Sequence, residues 1–357
     1  MRVLIAAVIG LVLSAAVIAA TGYQPVDAYR AMFSEALGSV ESLAGVLGAA
    51  TPLLLLALGF TVAFKAGLFN IGGEGQFVMG AVGAALLGHA GRALPAIALI
   101  PLVIAGGMVT GAAWAALAAL MKAKRNVHEV VSTIMLNWVA LKLSTYLINT
   151  VYGPMHDPAS QSPQSLPIGS NAVLPTLFAR TDLHAGVFLA LLMVPAVAWL
   201  LSRSVLGFEI RAVGKNRFAA RTYGIDEGRV LLRAMAVSGA LAGLAGAMEL
   251  MGVSAYAGAL KPDFAAGRGF DGITIALMGG GGPLGILAAS LFLGALRLGA
   301  IGMETLTGVP KELSFIVQGI LILAVMTPVL ADYLRGFRKS RPSASPDAAP
   351  PPVVPPS

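Results

Sequence analysis

Residues 64–80 read FKAGLFNIGGEGQFVMG, and this stretch decides how the long apolar sequence around it folds. Apolar runs flank it at 45–64 and 77–88. Its centre, 67–75, holds four glycines, an asparagine and a glutamate. So many glycines disfavour an ordinary apolar helix, because each glycine loses more backbone freedom on folding than any other residue. The sequence therefore predicts a broken connection between two apolar segments.

The overall composition places the chain among membrane proteins. Of its 357 residues, 57% are hydrophobic and 11% are charged, whereas a soluble globular chain carries about 25% charged residues. These values exclude a soluble enzyme, a disordered chain and a fibrous repeat. The apolar stretches are continuous rather than alternating, which favours helices over a β-barrel. We therefore expect an all-α polytopic membrane protein.

The distribution of Lys and Arg predicts the orientation of this protein. Four regions carry most of these residues: the N-terminus, 122–125, 203–233 and 335–341. The positive-inside rule places all four in the cytoplasm. The net charge of +7 then indicates basic loops rather than nucleic-acid binding. Further basic residues are predicted on the opposite side: Arg30, Arg92, Arg180, Lys261, Arg268 and Lys311.

Two cytoplasmic termini require an even number of membrane crossings. The apolar region before the last span, 313–331, is therefore divided by its Gly-Gly-Gly-Gly-Pro run into about 268–281 and 284–300. By the same argument, 45–64 and 68–88 are two passes with a tight connection at 65–67. The total is about ten transmembrane segments, some shorter than the roughly 20 residues of a full span. Short or broken helices at membrane depth line a cavity or pathway, because their free backbone groups need partners.

The remaining organisation follows from composition. Residues 1–334 are predicted to form one transmembrane domain, and the Pro-, Ala- and Ser-rich tail 335–357 to be disordered in the cytoplasm. Residues 3–20 indicate an uncleaved first span, with a cleaved signal peptide as the alternative. Residues 23–44 are predicted to form a short amphipathic surface helix outside the membrane.

Polar residues in or beside the predicted spans are candidates for a solute pathway. The candidates are Asn70, Glu74, Gln76 and Asn137. A carboxylate at membrane depth is costly and usually functional. The alternatives are that Glu74 caps a helix start in a tight turn, and that Asn137 makes an interhelical hydrogen bond.

Other residues in the spans have ordinary explanations as well. Asp271 and Thr274 could also line a path, whereas pairing or snorkelling explains Lys142, Glu249 and Arg297 equally well. Glycines at GxxxG spacing predict close helix packing; they are Gly107 with Gly111 and Gly239 with Gly243.

The only long basic stretch, 203–233, is predicted to be a cytoplasmic loop. Its residues Ala219, Ala220, Tyr223 and Ile225 suggest a short amphipathic helix, which could dock in a groove of a soluble partner. Alternatively, the basic residues only satisfy the orientation rule or bind anionic lipid headgroups.

The sequence carries no enzyme motif. It lacks the G-x-x-x-x-G-K-[ST] loop of nucleotide hydrolases, the G-x-S-x-G elbow and the paired histidines of zincins. It has no cysteine, which excludes disulfides and Cys-based metal sites, and its four histidines are scattered. We expect no catalytic residue, metal or cofactor.

Four stretches resemble the inner-membrane permeases of nucleoside and simple-sugar ABC importers. They are FKAGLFNIGGEGQFVMG (64–80), EVVSTIMLNW (129–138), GFEIRAVGKNRFAARTYGI (207–225) and GFDGITIALMGGGGPLG (269–285). This group is related to ribose and branched-chain amino-acid permeases, and the resemblance covers about 45–330. It is more specific for the permease family than for the substrate.

The resemblance implies a division of labour in the bacterial cytoplasmic membrane. A separate ABC ATPase hydrolyses ATP, an extracytoplasmic binding protein delivers the solute, and a second homologous permease completes the path. The resemblance also implies that 203–233 is a coupling loop, in which residues 211–225 dock on the ATPase. The residues of this chain that match the coupling segment are Arg211, Gly214, Asn216, Ala219, Ala220 and Gly224.

Two other transport functions remain open at this point. One is a branched-chain amino-acid ABC permease, although the NIGGEGQ string favours the nucleoside and sugar group. The other is an ion-coupled secondary transporter, which would carry broken-helix sites repeated in two halves. The sequence shows no second copy of NIGGEGQ.

Overall fold

The computed structural model describes residues 2–339, without the side chains of residues 2–4, 254 and 328–339. These residues form α-helices, turns and two isolated β-bridges. The helices are α1 (Arg2–Ala20), α2 (Pro25–Leu37), α3 (Val40–Lys65), α4 (Gly73–Ala90), α5 (Ala96–Arg125), α6 (Glu129–Leu147), α7 (Gly186–Arg203), α8 (Val205–Lys215), α9 (Arg217–Thr222), α10 (Glu227–Gly252), α11 (Arg268–Met278), α12 (Pro283–Thr307) and α13 (Lys311–Lys339).

Six of the described helices are long and apolar enough to cross a membrane. They are α3, α5, α6, α7, α10 and α12, and α1 contains a shorter apolar stretch, Ile5–Ala20. The predicted class, an all-α polytopic membrane protein, is therefore confirmed. Helices α3 and α10 are the most enclosed of the six, which places them at the centre of the bundle.

Helices α4, α5 and α10 cross one another at glycines. A Cβ on Gly107 of α5 would lie 2.6 Å from the Ala247 Cβ of α10, and one on Gly111 would meet the backbone of Gly239 and Gly243. Gly80 of α4 likewise faces the backbone of Gly243. The two GxxxG pairs therefore meet each other, as close packing between small residues requires.

The helix boundaries around the two predicted breaks differ in part from expectation. The first connection is longer than predicted and covers 66–72, because the glycine-rich segment after Gly67 (φ +80°) delays the start of α4 until Gly73. Helix α11 is short, as predicted. The prediction of a short segment at 284–300 is wrong. Helix α12 has 25 residues and continues to Gly308, whose left-handed backbone ends it.

The basic stretch 203–233 contains α8, α9 and the first turns of α10. Helix α9 is the predicted short helix and includes Ala219 and Ala220, whereas α8 was not predicted. Asn216 divides the first two helices, because its side-chain oxygen accepts hydrogen bonds from the N–H groups of Phe218 and Ala219 and so caps α9. At the other end, α13 reaches Lys339 and includes the first five residues assigned to the tail, 335–339. The rest of that predicted tail, 340–357, lies outside the described residues.

Helix α2 is amphipathic, as predicted, but the predicted range 23–44 is too long. Gly38 ends α2, and Ser39 caps α3, which takes up 40–44. Its buried residues are Ala28, Ala31, Met32 and Ala36, and Met32 contacts Gly299 of α12. The Tyr29 hydroxyl donates a 2.6 Å hydrogen bond to the Leu11 carbonyl and so ties α2 to α1.

The bundle has two chemically different ends. At the end that we call the basic end, Gly214 of α8 packs against the Lys65 carbonyl, and Gly281 lies near the Lys65 ammonium group. Lys122 at the end of α5 pairs there with Glu129 at a distance of 3.0 Å.

The opposite end, which we call the loop end, is built from residues 148–185 and 253–264. The loop 148–185 packs on α4 and α10: the Gly169 N–H donates to the Gly88 carbonyl, and the Leu174 N–H donates to the Met251 carbonyl. The two loops also bind each other, because the Ile168 N–H donates to the Gly258 carbonyl.

Candidate functional site

Two broken helices meet inside the bundle, with their N-termini facing each other. Helix α4 begins at Gly73 and α11 at Arg268, and a Cβ added at Gly269 would overlap the backbone of Glu74. On the same side of α11, one turn further along, Gly272 packs against Leu56 and Ala57 of α3. Only glycine lets the backbones approach so closely.

The Glu74 carboxylate joins these two helices. It accepts a 2.8 Å hydrogen bond from the Gly267 N–H and a 2.7 Å hydrogen bond from the Gly269 N–H. The side chain is buried, with 5% of its surface exposed. Glu74 therefore does cap a helix start, but the helix is α11, almost 200 residues further along the chain. The carboxylate also lies where the helix dipole of α11 favours negative charge.

A second polar cluster fixes the segment before α4. The Asn70 amide donates 3.1 Å and 2.9 Å hydrogen bonds to Gln76 Oε1 and Ser238 Oγ, and its Oδ1 accepts from the Gly72 N–H. Gln76 Nε2 in turn donates to Asn70 Oδ1 at 3.0 Å. Asn70, Gln76 and Ser238 are each 2% exposed, so the cluster is closed to solvent.

Asn137 of α6 fixes the same segment from another direction. Its Oδ1 accepts a 2.8 Å hydrogen bond from the Gly75 N–H, and its Nδ2 donates a 2.9 Å hydrogen bond to the Ile71 carbonyl. These two groups are ones that the break in the helix would leave unsatisfied. The interhelical hydrogen bond considered for Asn137 is therefore present.

Two ion pairs surround the first turn of α11. Arg268 pairs with Glu249 of α10 at 2.8 Å, and this pair is mostly buried. Arg297 of α12 binds Asp271 through both Nε and Nη2, at 2.8 Å and 2.6 Å. The pairing considered for Glu249 and Arg297 is therefore observed.

The four residues predicted for the pathway are thus brought together, but as a buried and hydrogen-bonded junction. Ser238, which binds Asn70, and Arg268, which pairs with Glu249, were missed as site residues. Ser238 is an inconspicuous hydroxyl among small residues, and Arg268 was counted among the charges of the opposite side. The signal for Arg268 was the oppositely charged Glu249 within an apolar span.

The six predicted coupling residues lie on α8, α9 and the turn after α9. Gly214 packs against the Lys65 carbonyl, Asn216 caps α9, Ala220 is buried, and Gly224 adopts a left-handed turn with φ +79°. Ala219 is exposed beside Phe218 and Tyr223, which are 72% and 85% exposed.

The same region contains an open cavity that is lined by both acidic and basic side chains. The cavity has a volume of about 440 Å³ and is lined by Lys122, Glu129, Lys215, Arg217 and Glu227, among others. Arg211, the basic residue among the six, lines an adjacent cavity of about 520 Å³ with Lys65 and Lys215. Charged walls beside exposed aromatic rings suit contact with a soluble protein.

Comparison with known proteins now gives the family. The family model described as "Branched-chain amino acid transport system / permease component" matches residues 42–326. The chain belongs to this permease family. The match covers α3 to α12 and about the first half of α13, so it includes both broken helices and the predicted coupling residues.

Full-length relatives of this permease are ABC transporter permeases. The guanosine permease NupP of Bacillus subtilis is 36% identical over 341 residues, which cover 95% of this chain and 96% of NupP. The glucose permease TsgB13 of Haloferax volcanii is 36% identical over 89% of this chain and 84% of TsgB13. The nucleoside permease NupB of Lactococcus lactis is 35% identical, covering 93% and 92%. No solved structure matches the permease significantly.

Proposed function

We propose that this permease is the membrane subunit of an ABC importer that moves a nucleoside or simple sugar into a bacterial cell. The observation that carries the proposal is the identity of 35–36%, over 89–95% of the chain, to permeases named for guanosine, glucose and nucleosides. All of these solutes are neutral and rich in hydrogen-bonding groups. ATP hydrolysis takes place in a separate ABC ATPase.

The basic end faces the cytoplasm in this proposal. It carries the basic residues of 122–125 and 203–233, which the positive-inside rule assigns to that side. The chain then crosses the bacterial cytoplasmic membrane in ten segments, with both termini inside. Six of these are the long apolar helices, and the others are α1, α4 with 66–72, α11 with 253–267, and α13.

The ATPase docks on α8 and α9. Phe218 and Tyr223 offer exposed aromatic surface at the basic end, and buried aromatic anchors dominate the energy of many interfaces. Gly214 touches the backbone of Lys65, so a displacement of α8 acts directly on the end of α3 and on the segment 66–72. Movement of the ATPases therefore reaches the junction of α4 and α11 through packed backbone.

Asn70, Glu74, Gln76 and Asn137 act beside the solute path in this account. Their polar groups bind one another and the backbone of the two broken helices. They hold the two N-termini together, so that α11 and the start of α4 move as one element between the inward-open and outward-open states.

The loop end faces an extracytoplasmic binding protein, and a second homologous permease completes the path. The loop 148–185 presents exposed apolar side chains outside the long helices, among them Val151 and Tyr152. The resemblance to two-permease importers supports the second subunit.

Uptake by the reconstituted importer tests this function. Proteoliposomes that contain both permeases, the ATPase and the binding protein are given a labelled nucleoside with competing nucleosides, pentoses or hydrophobic amino acids. We expect competition by nucleosides or sugars. Competition by hydrophobic amino acids alone would instead identify a branched-chain amino-acid permease.

A further inference from the structure

The residues that present polar surface to a solute are a different set from the buried junction. Asn70, Glu74, Gln76 and Asn137 are 2–5% exposed, so a solute cannot reach them in this conformation. The side chains of Asp271 and Arg297, by contrast, are 27% and 25% exposed. The buried pair beside them, Glu249 with Arg268, is 3% and 18% exposed.

The Asp271–Arg297 pair lies well inside the bundle rather than at an end. Arg297 is about 21 Å along α12 from Pro283 and about 15 Å from Thr307. Asp271 is about 10 Å along α11 from Met278, which precedes the turn at the basic end. Both charges therefore fall within a hydrocarbon layer of about 30 Å. Charged side chains at this depth face a bundle interior or a water-filled cavity rather than lipid.

The open side of α11 has the chemistry of a solute-binding wall. Its closed side, with Gly269, Gly272 and Ile275, packs into the bundle. Phe270, 48% exposed, and the partly exposed Thr274 lie on the open side, one helical turn apart. An aromatic ring, a hydroxyl and an ion pair are thus placed along one face at membrane depth.

The geometry of the ion pair leaves capacity for a ligand. Both Arg297 donors, Nε and Nη2, reach the same carboxylate oxygen, Asp271 Oδ2. The pair therefore does not engage Asp271 Oδ1. A carboxylate oxygen accepts hydrogen bonds strongly from hydroxyl groups, and an aromatic face packs on a base or sugar ring.

We propose that Phe270, Asp271, Thr274 and Arg297 form the wall of the solute path, with Asp271 binding hydroxyl groups of a neutral, hydroxylated solute. This inference rests on the proposed function. It places the path along the open side of α11 and α12 and makes the junction at Glu74 its support. The paired charges remain mutually neutralised, so the wall suits an uncharged solute and disfavours an ion.

Transport by the complete importer gives the first test. Asp271→Asn and Arg297→Gln should each lower uptake by about tenfold or more, with normal co-purification of all subunits. Phe270→Leu should reduce nucleoside uptake more than pentose uptake, because only the nucleoside has a base to stack. Phe315→Leu is the matched control, since Phe315 lies exposed on α13, and it should transport normally.

Accessibility of an introduced cysteine gives a readout that does not depend on activity. The chain has no cysteine, so Thr274→Cys and Phe315→Cys each carry a single thiol. A charged, water-soluble thiol reagent should modify the cysteine at 274 in the reconstituted complex, more slowly in the presence of solute, and should leave the one at 315 unmodified.

The outcomes separate the two proposals. Normal uptake by Asp271→Asn, or a cysteine at 274 that the reagent never modifies, would contradict the proposed wall of the solute path. Neither result would contradict the proposed importer function. Loss of the second permease from the Asp271→Asn complex would also contradict the proposed wall. It would show instead that Asp271 and Arg297 contribute to the contact between the two permeases. If the wild-type complex moves neither nucleosides nor sugars, the proposed function fails first.

Discussion

The Glu74 carboxylate at the start of α4 accepts a 2.7 Å hydrogen bond from the Gly269 N–H at the start of α11. This single contact links two helices that are each broken inside the bundle, and the Gly267 N–H adds a second bond to the same carboxylate. Both carboxylate oxygens therefore accept backbone hydrogen bonds from the first turn of α11, and these bonds hold the junction together.

Removal of this carboxylate should loosen the junction. Glu74→Ala leaves two backbone N–H groups buried without an acceptor, and each such group costs about 1–3 kcal/mol. We expect a lower unfolding temperature of the purified complex and a loss of uptake, with an intermediate effect for Glu74→Gln, which keeps one acceptor. Glu41→Ala changes an exposed glutamate of α3 and should leave both properties unchanged. Normal stability and uptake in Glu74→Ala would contradict the role of the junction.

Asn137 should be needed for the same junction through two backbone groups. Asn137→Ala frees the Gly75 N–H and the Ile71 carbonyl and should destabilise the complex by roughly 2–3 kcal/mol, measured as a fall in its midpoint of thermal unfolding. Asn171→Ala is the control of the same residue type, since Asn171 makes an exposed hydrogen bond to the Leu94 carbonyl. An equal fall in the midpoint of thermal unfolding for the two variants would show that Asn137 contributes no more to stability than an exposed hydrogen bond does.

Bulk at the central helix crossing should prevent folding. A valine at Gly243 would push against the Gly107 backbone, whereas the position of Gly319 on α13 has no neighbour within 4 Å. Gly243→Val should therefore reduce the yield of monodisperse protein severalfold, because overpacking forces backbone shifts, and Gly319→Val should not. Size-exclusion profiles of the two variants give the comparison. A normal profile for Gly243→Val would contradict the close packing of α5 and α10 at this glycine.

His184 should make stability depend on pH at the loop end. It is buried, its Nδ1 accepts a 3.2 Å hydrogen bond from the Gly186 N–H, and burial lowers its pKa below the ordinary value of 6.5, against a smaller opposite effect of Asp182. The unfolded chain then binds the proton more readily than the folded one. The neutral, buried form of His184 therefore contributes fully to the free energy of unfolding above pH 6.5. This contribution is lost progressively as the pH falls below 6.5. His184→Gln should flatten the unfolding temperature between about pH 7 and 5, while His128→Gln, at an exposed position, should not.

Aromatic side chains at the basic end should hold the ATPase. Phe218→Asp and Tyr223→Asp place a charge on exposed positions of α9 and the following turn, so we expect a folded permease that no longer co-purifies with the ATPase. Tyr152→Asp changes a similarly exposed tyrosine at the loop end and should retain the ATPase. Gly214 is unsuited to this test, because a side chain there would strike the Lys65 carbonyl within the permease itself. Retention of the ATPase by both α9-region variants would place its docking site elsewhere.

The sequence predicted the breaks in the helices but not what the breaks contact. The glycines of 67–75 and 279–282 interrupt helices through local backbone preferences, which can be read from neighbouring residues. The partner of Glu74 depends on how α11 folds back onto α4, and no local pattern encodes a contact over that distance. The same limit applies to Arg268, whose surroundings in sequence are typical of a loop although its partner Glu249 lies in α10.

Helix ends that depend on polar residues were also difficult to predict. Helix α12 continues past its apolar part through Glu304 and Thr307 to a left-handed glycine, whereas hydropathy alone ends the segment at 300. Division of the basic stretch into α8 and α9 depends on the side chain of Asn216, whose capping role becomes visible only with the hydrogen bonds to Phe218 and Ala219.

The dependence of solute accumulation on ATP hydrolysis is the most direct test of transport by an ABC importer. Proteoliposomes with the complete importer are compared with identical ones that contain a hydrolysis-deficient ATPase, in a time course of labelled nucleoside uptake with ATP on the ATPase side. We expect accumulation against a concentration gradient in the first sample and none in the second. Equal accumulation in both samples, or accumulation driven by an ion gradient without ATP, would contradict transport by an ABC importer.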